Sequence, residues 1–570
     1  MKRALRLLMC LLLATTMVAG CGASPAQTSA PAATATPVAT TATTEAPTAT
    51  AVATEAPTAT PVATETPALP LSPEMVTLTF ITHQGTNASM APPSNELPLY
   101  QYLEKITNVH IEWQTVPYDN YKEVMNTKIA AGGKLPDIMN LHNLGNYATL
   151  AKDKIIIPQT ELINQYATNT KLFFEKNPAY KKLMTAPDGQ IYCIEDTVLD
   201  SHLGMNLMVN KYALERAGIA AMPSTVDEFY KMLVAFHDKD INGNGKKDEI
   251  PLIIDKGDLV TLGGAFGLQI AWDWNKYFDV KDGKLVSNYS LPAYKEYVSF
   301  LNKLYSEGLM NKDYSTVTYD KMIEYVSKGL SGAAGYWATY AYLFGDASPD
   351  AAPFKADKKG EQVPIYVPMD PIKDQNGEQF FIKRSGLNGD GMGITVDCPE
   401  NLRPIAMKWI DFLFASPESL ELQYNGVPGL TYNKKADGTI EKIMPADGSD
   451  WSASVTKIGG NQPPRAHQQL IEAWRNSWLP QWLDQADQAQ QKFYKDGNIL
   501  PTQFTEDEQS AIGKVQTDLD TYIDENMTAF ITGTKPMTGY DAFAASLGTH
   551  GLDTVQAAYA SRYARQIAGN

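Results

Sequence analysis

Hydrophobic positions along residues 75–145 switch between two periods. Val76-Thr77-Leu78-Thr79-Phe80-Ile81 is rich in β-branched and aromatic residues and predicts a strand. Residues 97–106 follow with a helical pattern. Val109-His110-Ile111-Glu112-Trp113 alternates as a strand, residues 121–131 return to helical spacing, and Asp137-Ile138-Met139 opens a further buried strand. The resulting βαβαβ order predicts a parallel sheet with helices on its faces. A second set begins at residues 204–210, a strand leading into a helix over 211–217. Thr225 and Glu228 form a capping box at the start of the next helix. Pro251-Leu252-Ile253-Ile254 reads as a short buried strand, 293–307 as an amphipathic helix, 391–395 as a strand and 402–414 as a helix. The last 70 or so residues are mostly helical, with a second capping box at Thr505 and Glu508 and a helix over 518–530.

The first 73 residues have neither period. Lys2, Arg3 and Arg6 precede an apolar run over 7–18 that is too short to span a bilayer, which needs roughly 20 apolar residues. Val18-Ala19-Gly20-Cys21 resembles a bacterial lipobox, which implies removal of residues 1–20 and a lipid on Cys21. Residues 22–73 are almost entirely Ala, Thr, Pro and Ser, and the segment 43–50 is echoed at 53–60. Such a composition cannot bury a core and stays extended; at about 3.1 Å per residue it reaches on the order of 150 Å. The expectation is a chain anchored to the outer face of a bacterial membrane by its N-terminal lipid, with 21–73 as a disordered tether.

The 570-residue chain carries a formal charge of −16, which argues against a nucleic-acid partner, because phosphate binding needs clustered Lys and Arg. Its four cysteines cannot staple a chain of this size. Cys10 leaves with the signal and Cys21 takes lipid. Cys193 and Cys398 remain as a candidate pair, which the sequence alone cannot bring within the ~6 Å that a disulfide requires.

Beyond residue 75 the order of segments resembles the extracellular solute-binding proteins of ABC importers, in the carbohydrate-binding family that includes maltose-binding protein. It is most similar to that family's long, tethered oligosaccharide-binding lipoproteins. Residues 130–138 resemble the family's Gly-Pro-Asp-Ile strand, with Leu135 where Gly is usual. Gly189-Gln190-Ile191-Tyr192 resembles its crossing segment, with Glu195 in place of Pro. Leu207-Met208-Val209-Asn210-Lys211, residues 223–228, Leu301-Asn302-Lys303-Leu304-Tyr305-Ser306-Glu307-Gly308, Gly335-Tyr336-Trp337, and Gly393-Ile394-Thr395 with residues 406–414 resemble later signatures in the same order. The resemblance implies an α/β, periplasmic-binding-protein-like fold: two hinge-connected lobes with mixed sheets flanked by helices. One lobe takes 74–195 with 386–435, the other 196–385 with 436–570. It also implies a monomer that captures a carbohydrate, an oligosaccharide by the closest similarity, and delivers it to the transmembrane subunits of a permease. A sugar-sensing or adhesive protein, or a binder of peptides or other solutes, is the alternative.

The sharpest motif is the segment 238–249. Oxygen-bearing side chains recur at every second residue between glycines, as Ca²⁺ requires when it gathers six to eight oxygens. One register starts at Asp238, with Asp240, Asn242 and Glu249. The other uses Asp240, Asn242, Asn244, the carbonyl of Lys246, Asp248 and Glu249; it is preferred because it resembles a calcium loop of oligosaccharide-binding relatives. Its role is expected to be structural.

Sugars offer C–H faces to aromatic rings and hydroxyl rims to polar groups. Trp337 and Tyr336, in the Gly-Tyr-Trp segment, and Trp272 and Trp274, at strand spacing, are the expected stacking residues. Trp474, Trp478 and Trp482 recur at helical spacing and read as core. Polar contacts are expected beyond the carboxyl ends of strands, from His83 and Gln84, His142 and Asn143, and Asp196. No nucleophile elbow, zinc-protease motif or phosphate-cradling glycine loop is present, and carboxylate pairs are too numerous to mark a glycosidase. The chain is expected to be no enzyme.

Overall fold

The computed structural model describes residues 69–84, 93–197, 204–271, 276–355, 363–383, 387–446, 451–460 and 480–568. The signal segment, Cys21, the tether, Trp272, Trp274, Trp474 and Trp478 lie outside the described residues.

Among the described residues nine strands, in chain order, build the two larger sheets: β1 (Val76–His83), β2 (Val109–Val116), β3 (Ile138–Asn140), β4 (Ile194–Thr197), β5 (Met205–Asn210), β6 (Leu252–Ile254), β7 (Ala333–Trp337), β8 (Tyr366–Pro368) and β9 (Leu387–Ile394). The first sheet has the order β2-β1-β3-β9-β4. The β1 strand pairs parallel with β2 and β3, as the βαβαβ pattern predicts. The β9 strand, arriving some 250 residues after β3, runs antiparallel to both β3 and β4. The second sheet has the order β8-β5-β7-β6; β5 runs antiparallel to β7 and β8, and β6 parallel to β7. Both sheets are therefore mixed. The chain passes from the first to the second between β4 and β5, and returns between β8 and β9.

Each sheet is covered on both faces, and the period of two shows which residues go where. In β1, Leu78 and Phe80 pack with Ile138 against Trp409, Ile410 and Phe414 of the helix Arg403–Ala415. Ile81 and Met139 point the other way, onto Tyr121 and Met125 of the helix Tyr121–Ala130. In the second sheet Leu207, Val209, Leu252, Ile254 and Ala333 share a core with Phe229, Leu233, Phe236, Leu301 and Leu304. Met208, Ile253 and Ala334 face Phe344 and Tyr366 on the opposite side.

The helices follow their sequence signals. The helix Val226–Asp238 starts at the Thr225–Glu228 capping box and buries Phe229, Met232, Leu233 and Phe236, spaced i, i+3, i+4, i+7. The second capping box opens the helix Glu506–Gly513. The following helices Gln516–Thr532 and Leu552–Ile567 bury Leu519, Ile523, Phe530 and Val555 in the core of the second sheet. Cys193 and Cys398 are both buried free thiols. Trp482 packs half-buried against the cluster of Met208 and Phe344, in keeping with a core role.

The β9 strand is longer than the sequence pattern shows. It runs back from residue 391 to Leu387, because a register shift between Leu387 and Gly391 lets the glycine-rich stretch stay paired with β4. That extension brings Asp390 into the first sheet.

Candidate binding cleft

In each sheet the carboxyl ends of the parallel strands gather side chains at one end, the position at which open α/β sheets hold ligands. At the second sheet this end carries Trp337, the last residue of β7, beside Met205 at the start of β5. A pocket of about 50 Å³ opens there, lined by Met205, Val260, Ile270, Trp337, Phe380 and Tyr494 among others. Its walls are apolar and aromatic, which suits the C–H face of a sugar ring. Tyr336 alternates to the other face of β7. There it stacks on Tyr319 with ring centroids 5.4 Å apart and meets Tyr340 edge-on at 5.1 Å, so it buttresses the strand and does not line the pocket.

A residue that sequence reasoning missed lies at the same end. Asp258, four residues past β6, is completely buried, and neither of its carboxylate oxygens has a hydrogen-bond partner. Burial pushes its carboxyl well up from the ordinary range, and the nearby Asp255 carboxylate adds to the rise. Asp255 also accepts a hydrogen bond from the Asp258 N–H at 2.9 Å. The signal for it was an acidic pair directly after the apolar run 252–254. Close by, Asn206 donates to Gln490 Oε1 at 2.9 Å, and Gln490 in turn donates to Asp370 at 3.3 Å.

The first sheet presents a polar group at its corresponding end. His83 ends β1, His142 follows β3, and Asp390 comes from β9. His83 Nε2 lies 2.7 Å and His142 Nδ1 3.1 Å from the same oxygen of Asp390. His83 is 1% exposed, so it supports Asp390 and offers no free surface. Burial pushes the Asp390 carboxyl up, but the adjoining His142 and His83 outweigh it and hold it below the usual carboxylate range. Gln84 is half-buried and Asn143 exposed, the latter with its amide nitrogen 2.6 Å from His142 Nε2. Asp196, within β4, is completely buried. Its neighbour Glu195 accepts from the Gly389 N–H at 2.8 Å and from the Tyr147 hydroxyl at 3.1 Å. Burial raises its carboxyl to about 7 against those hydrogen bonds. The structure thus brings His83, Gln84, His142 and Asn143 together at one sheet end and sets Trp337 in a pocket at the other sheet.

The oxygen-rich loop joins the helix Val226–Asp238 to β6. Ile241, 1% exposed, anchors it to the core while its polar residues stay outside. Asp240 accepts from the N–H groups of Asn244 at 3.0 Å and Gly245 at 2.7 Å. These backbone donors, Gly245 first, hold its carboxyl below the ordinary range. The Asn242 and Asn244 side chains both reach Asp248 Oδ1, at 3.4 and 3.1 Å. Gly243 and Gly245 take φ of +73° and +75°, a conformation that favours glycine. Asp238, the first position of the alternative register, turns back to His237 at 3.1 Å. One Glu249 carboxylate oxygen is buried without a partner. The donor set is all oxygen, as Ca²⁺ prefers; the Asn242 and Asn244 side-chain oxygens accept from the N–H groups of Asn244 and Lys246.

Comparison with known proteins places this geometry in a family. Residues 87–418 match the model of the bacterial extracellular solute-binding proteins. The chain belongs to that family. Its members are binding proteins. The chain is 29% identical over 513 residues to the fructooligosaccharide ABC transporter substrate-binding protein FusA of Streptococcus pneumoniae, covering 84% of this chain and 88% of that one. It is 29% identical over 405 residues to lipoprotein LipO of Bacillus subtilis, covering 66% and 74%. Among solved structures, FusA in complex with kestose superposes with a TM-score of 0.70 at 24% identity, covering 87% of this chain and all of the other. Alginate-binding protein AlgQ2 without calcium ion gives 0.68 at 20%, covering 87% and 99%. A FusA EF-hand mutant in complex with fructo-nystose gives 0.69 at 23%, covering 87% and 100%. The periplasmic-binding-protein-like fold read from the sequence is the fold observed. No described helix is long and apolar enough to cross a membrane.

Proposed function

We propose that this chain is the solute-capturing subunit of an ABC importer for an oligosaccharide, held outside the cell by a lipid on Cys21 and catalysing nothing itself. The observation that carries the reading is the pocket walled by Trp337, Phe380 and Tyr494 at the carboxyl end of the second sheet. An aromatic wall supplies stacking area for sugar rings. Gln84, His142 and Asn143, with Asp390 behind them, supply polar contacts from the first sheet. Tyr336 acts through the placement of Trp337.

The two lobes follow the boundaries read from the sequence and close on the sugar about the crossing segments. A calcium ion held by Asp240, Asn242, Asn244, the Lys246 carbonyl, Asp248 and Glu249 pins the connection between the helix Val226–Asp238 and β6. The protein acts as a monomer that hands its cargo to the permease. The relative FusA makes fructooligosaccharides the first ligands to test.

The test is thermal unfolding of the full chain with kestose, nystose, maltooligosaccharides, oligogalacturonates and alginate oligomers. A ligand at about 100 times its Kd adds roughly 2.7 kcal/mol to stability. A shift with one sugar class supports the reading; shifts only with peptides refute its carbohydrate part.

A further inference from the structure

The trio His83, His142 and Asp390 aims two imidazole nitrogens at one carboxylate oxygen. His83 Nδ1 lies 3.1 Å from the carbonyl oxygen of Gln84, while Nε2 lies 2.7 Å from the Asp390 carboxylate. Both ring nitrogens thus face acceptors. A neutral imidazole has one N–H, and when Nδ1–H serves the carbonyl, the Nε2 lone pair points at an anionic oxygen. A metal ion bound by both groups relieves that repulsion. The second imidazole points at the same place: the Nδ1 of His142 is buried without a hydrogen-bond partner, 3.1 Å from the same carboxylate oxygen.

We propose that His83 Nε2, His142 Nδ1 and Asp390 form a binding site for a divalent transition-metal ion of the Zn²⁺ class, separate from the calcium loop. Among the described residues this is the one group of three acidic, histidine or cysteine side chains whose donor atoms all lie within 4.8 Å of one another. A zinc ion with bonds of about 2.0–2.1 Å needs tetrahedral ligands about 3.4 Å apart, so closure takes only small side-chain movements. Two imidazoles and one carboxylate suit a borderline ion and do not suit Ca²⁺, which takes six to eight oxygens.

The surrounding partners fit the same role. Metal-bound histidines characteristically give their other nitrogen to a carbonyl or amide that fixes the ring. Here the Gln84 carbonyl holds His83 Nδ1, and the Asn143 side-chain amide lies 2.6 Å from His142 Nε2, where its oxygen, once the amide is turned, accepts the ring N–H. Asn140 Nδ2 donates to Asp390 Oδ1 at 3.3 Å and to Thr82 Oγ1 at 3.2 Å, which orients the third ligand. The site is closed on one side and open on the other: the His83 side chain is 1% exposed, those of His142 and Asp390 12% each. An ion there keeps a coordination position on the open side and ties β9 to the ends of β1 and β3. The inference stands whatever solute the cleft takes.

The experiment is a titration of the metal-stripped full chain with Zn²⁺ alone, in excess Ca²⁺ and without sugar, followed by calorimetry. Co²⁺ in place of Zn²⁺ gives a visible absorption that reports a tetrahedral nitrogen–oxygen site. The expected result is one Zn²⁺ per chain, with affinity lowered about 100-fold or more in His142→Ala and the Co²⁺ band lost in Asp390→Asn. His142 is partly exposed and Asp390→Asn preserves shape, so both variants keep the fold, which far-UV circular dichroism checks. Asp240→Ala, in the calcium loop, leaves the Zn²⁺ titration unchanged. No stoichiometric Zn²⁺ binding, or equal affinity in wild type and His142→Ala, overturns the proposal and leaves the trio as a hydrogen-bonded cluster.

Discussion

Gly335 sits in β7 two residues before Trp337, and its lack of a side chain has a measurable value. A Cβ built on it would lie 2.5 Å from Ile254 Cδ1 and 2.7 Å from Ile254 Cγ1, closer than such atoms approach without movement. Ile254 is fully buried in β6 and pairs with Gly335 in the sheet, so its backbone is fixed. Its branched Cβ restricts χ1, and the atom at 2.7 Å lies next to that branch and not at a free end. Gly335→Ala therefore overpacks the sheet at a cost of about 1–3 kcal/mol. Ile254→Val alone costs about 0.5–1.5 kcal/mol by leaving a void. In the double variant the two errors offset in part, because losing Cδ1 removes the 2.5 Å contact while Cγ1 stays. Urea unfolding of the four proteins closes the cycle. The expected outcome is that Ile254→Val costs less in the Gly335→Ala background than in wild type. Equal costs in the two backgrounds, or a Gly335→Ala variant as stable as wild type, would refute the packing argument.

Three further outcomes are expected. Burial raises the Glu508 carboxyl, but the hydrogen bonds of Arg565, Ser561 and Thr505 dominate and hold it at about 2. A depressed carboxyl stabilises the fold above its unfolded value of about 4.5, and the contribution is lost as pH falls from there toward 2. Glu508→Gln should thus lower the unfolding midpoint at pH 7 and flatten its acid dependence in that window; a parallel curve would remove Glu508 from the account. Asp258 is the opposite case: with its carboxyl raised, its contribution is complete below about pH 3.9 and fades as pH rises, so Asp258→Asn should stabilise the protein at pH 7. A variant no more stable than wild type at pH 7 would contradict this. Chelation of Ca²⁺ held at about 100 times its Kd should remove roughly 2.7 kcal/mol, and Asp240→Ala should abolish that response in differential scanning calorimetry; an identical chelator effect in the variant would move calcium elsewhere.

Much of the fold was legible because local signals agreed with the global pattern. The strands at 76–83 and 109–116 carry β-branched residues in alternation, and both capping boxes open the helices they announce. The placement of β9 was not legible in full. Its partners are β3 and β4, hundreds of residues earlier, and the register shift after Leu387 leaves no period to read through the glycines. Asp390 was missed for that reason, although His83 and His142 were singled out from their positions after strands. Tyr336 and Trp337 show the converse. Their adjacency marked a site, and only the pleat of β7 separates a pocket wall from a core buttress. Asp258 follows an apolar run as a routine strand-end acid; its orphaned burial depends on the packing of the 3₁₀ segment Asp258–Phe266.

The central claim is that an aromatic-walled pocket around Trp337 captures an oligosaccharide. Isothermal titration of the full chain and of Trp337→Ala with kestose, nystose and the other oligosaccharides of the panel tests it most directly. The account predicts saturable one-site binding of one sugar class, weakened about tenfold or more by Trp337→Ala, since a lost ring contact of about 1.4 kcal/mol is a factor of ten. Sugar binding of equal affinity in both proteins, or binding of peptides and no oligosaccharide, would contradict it.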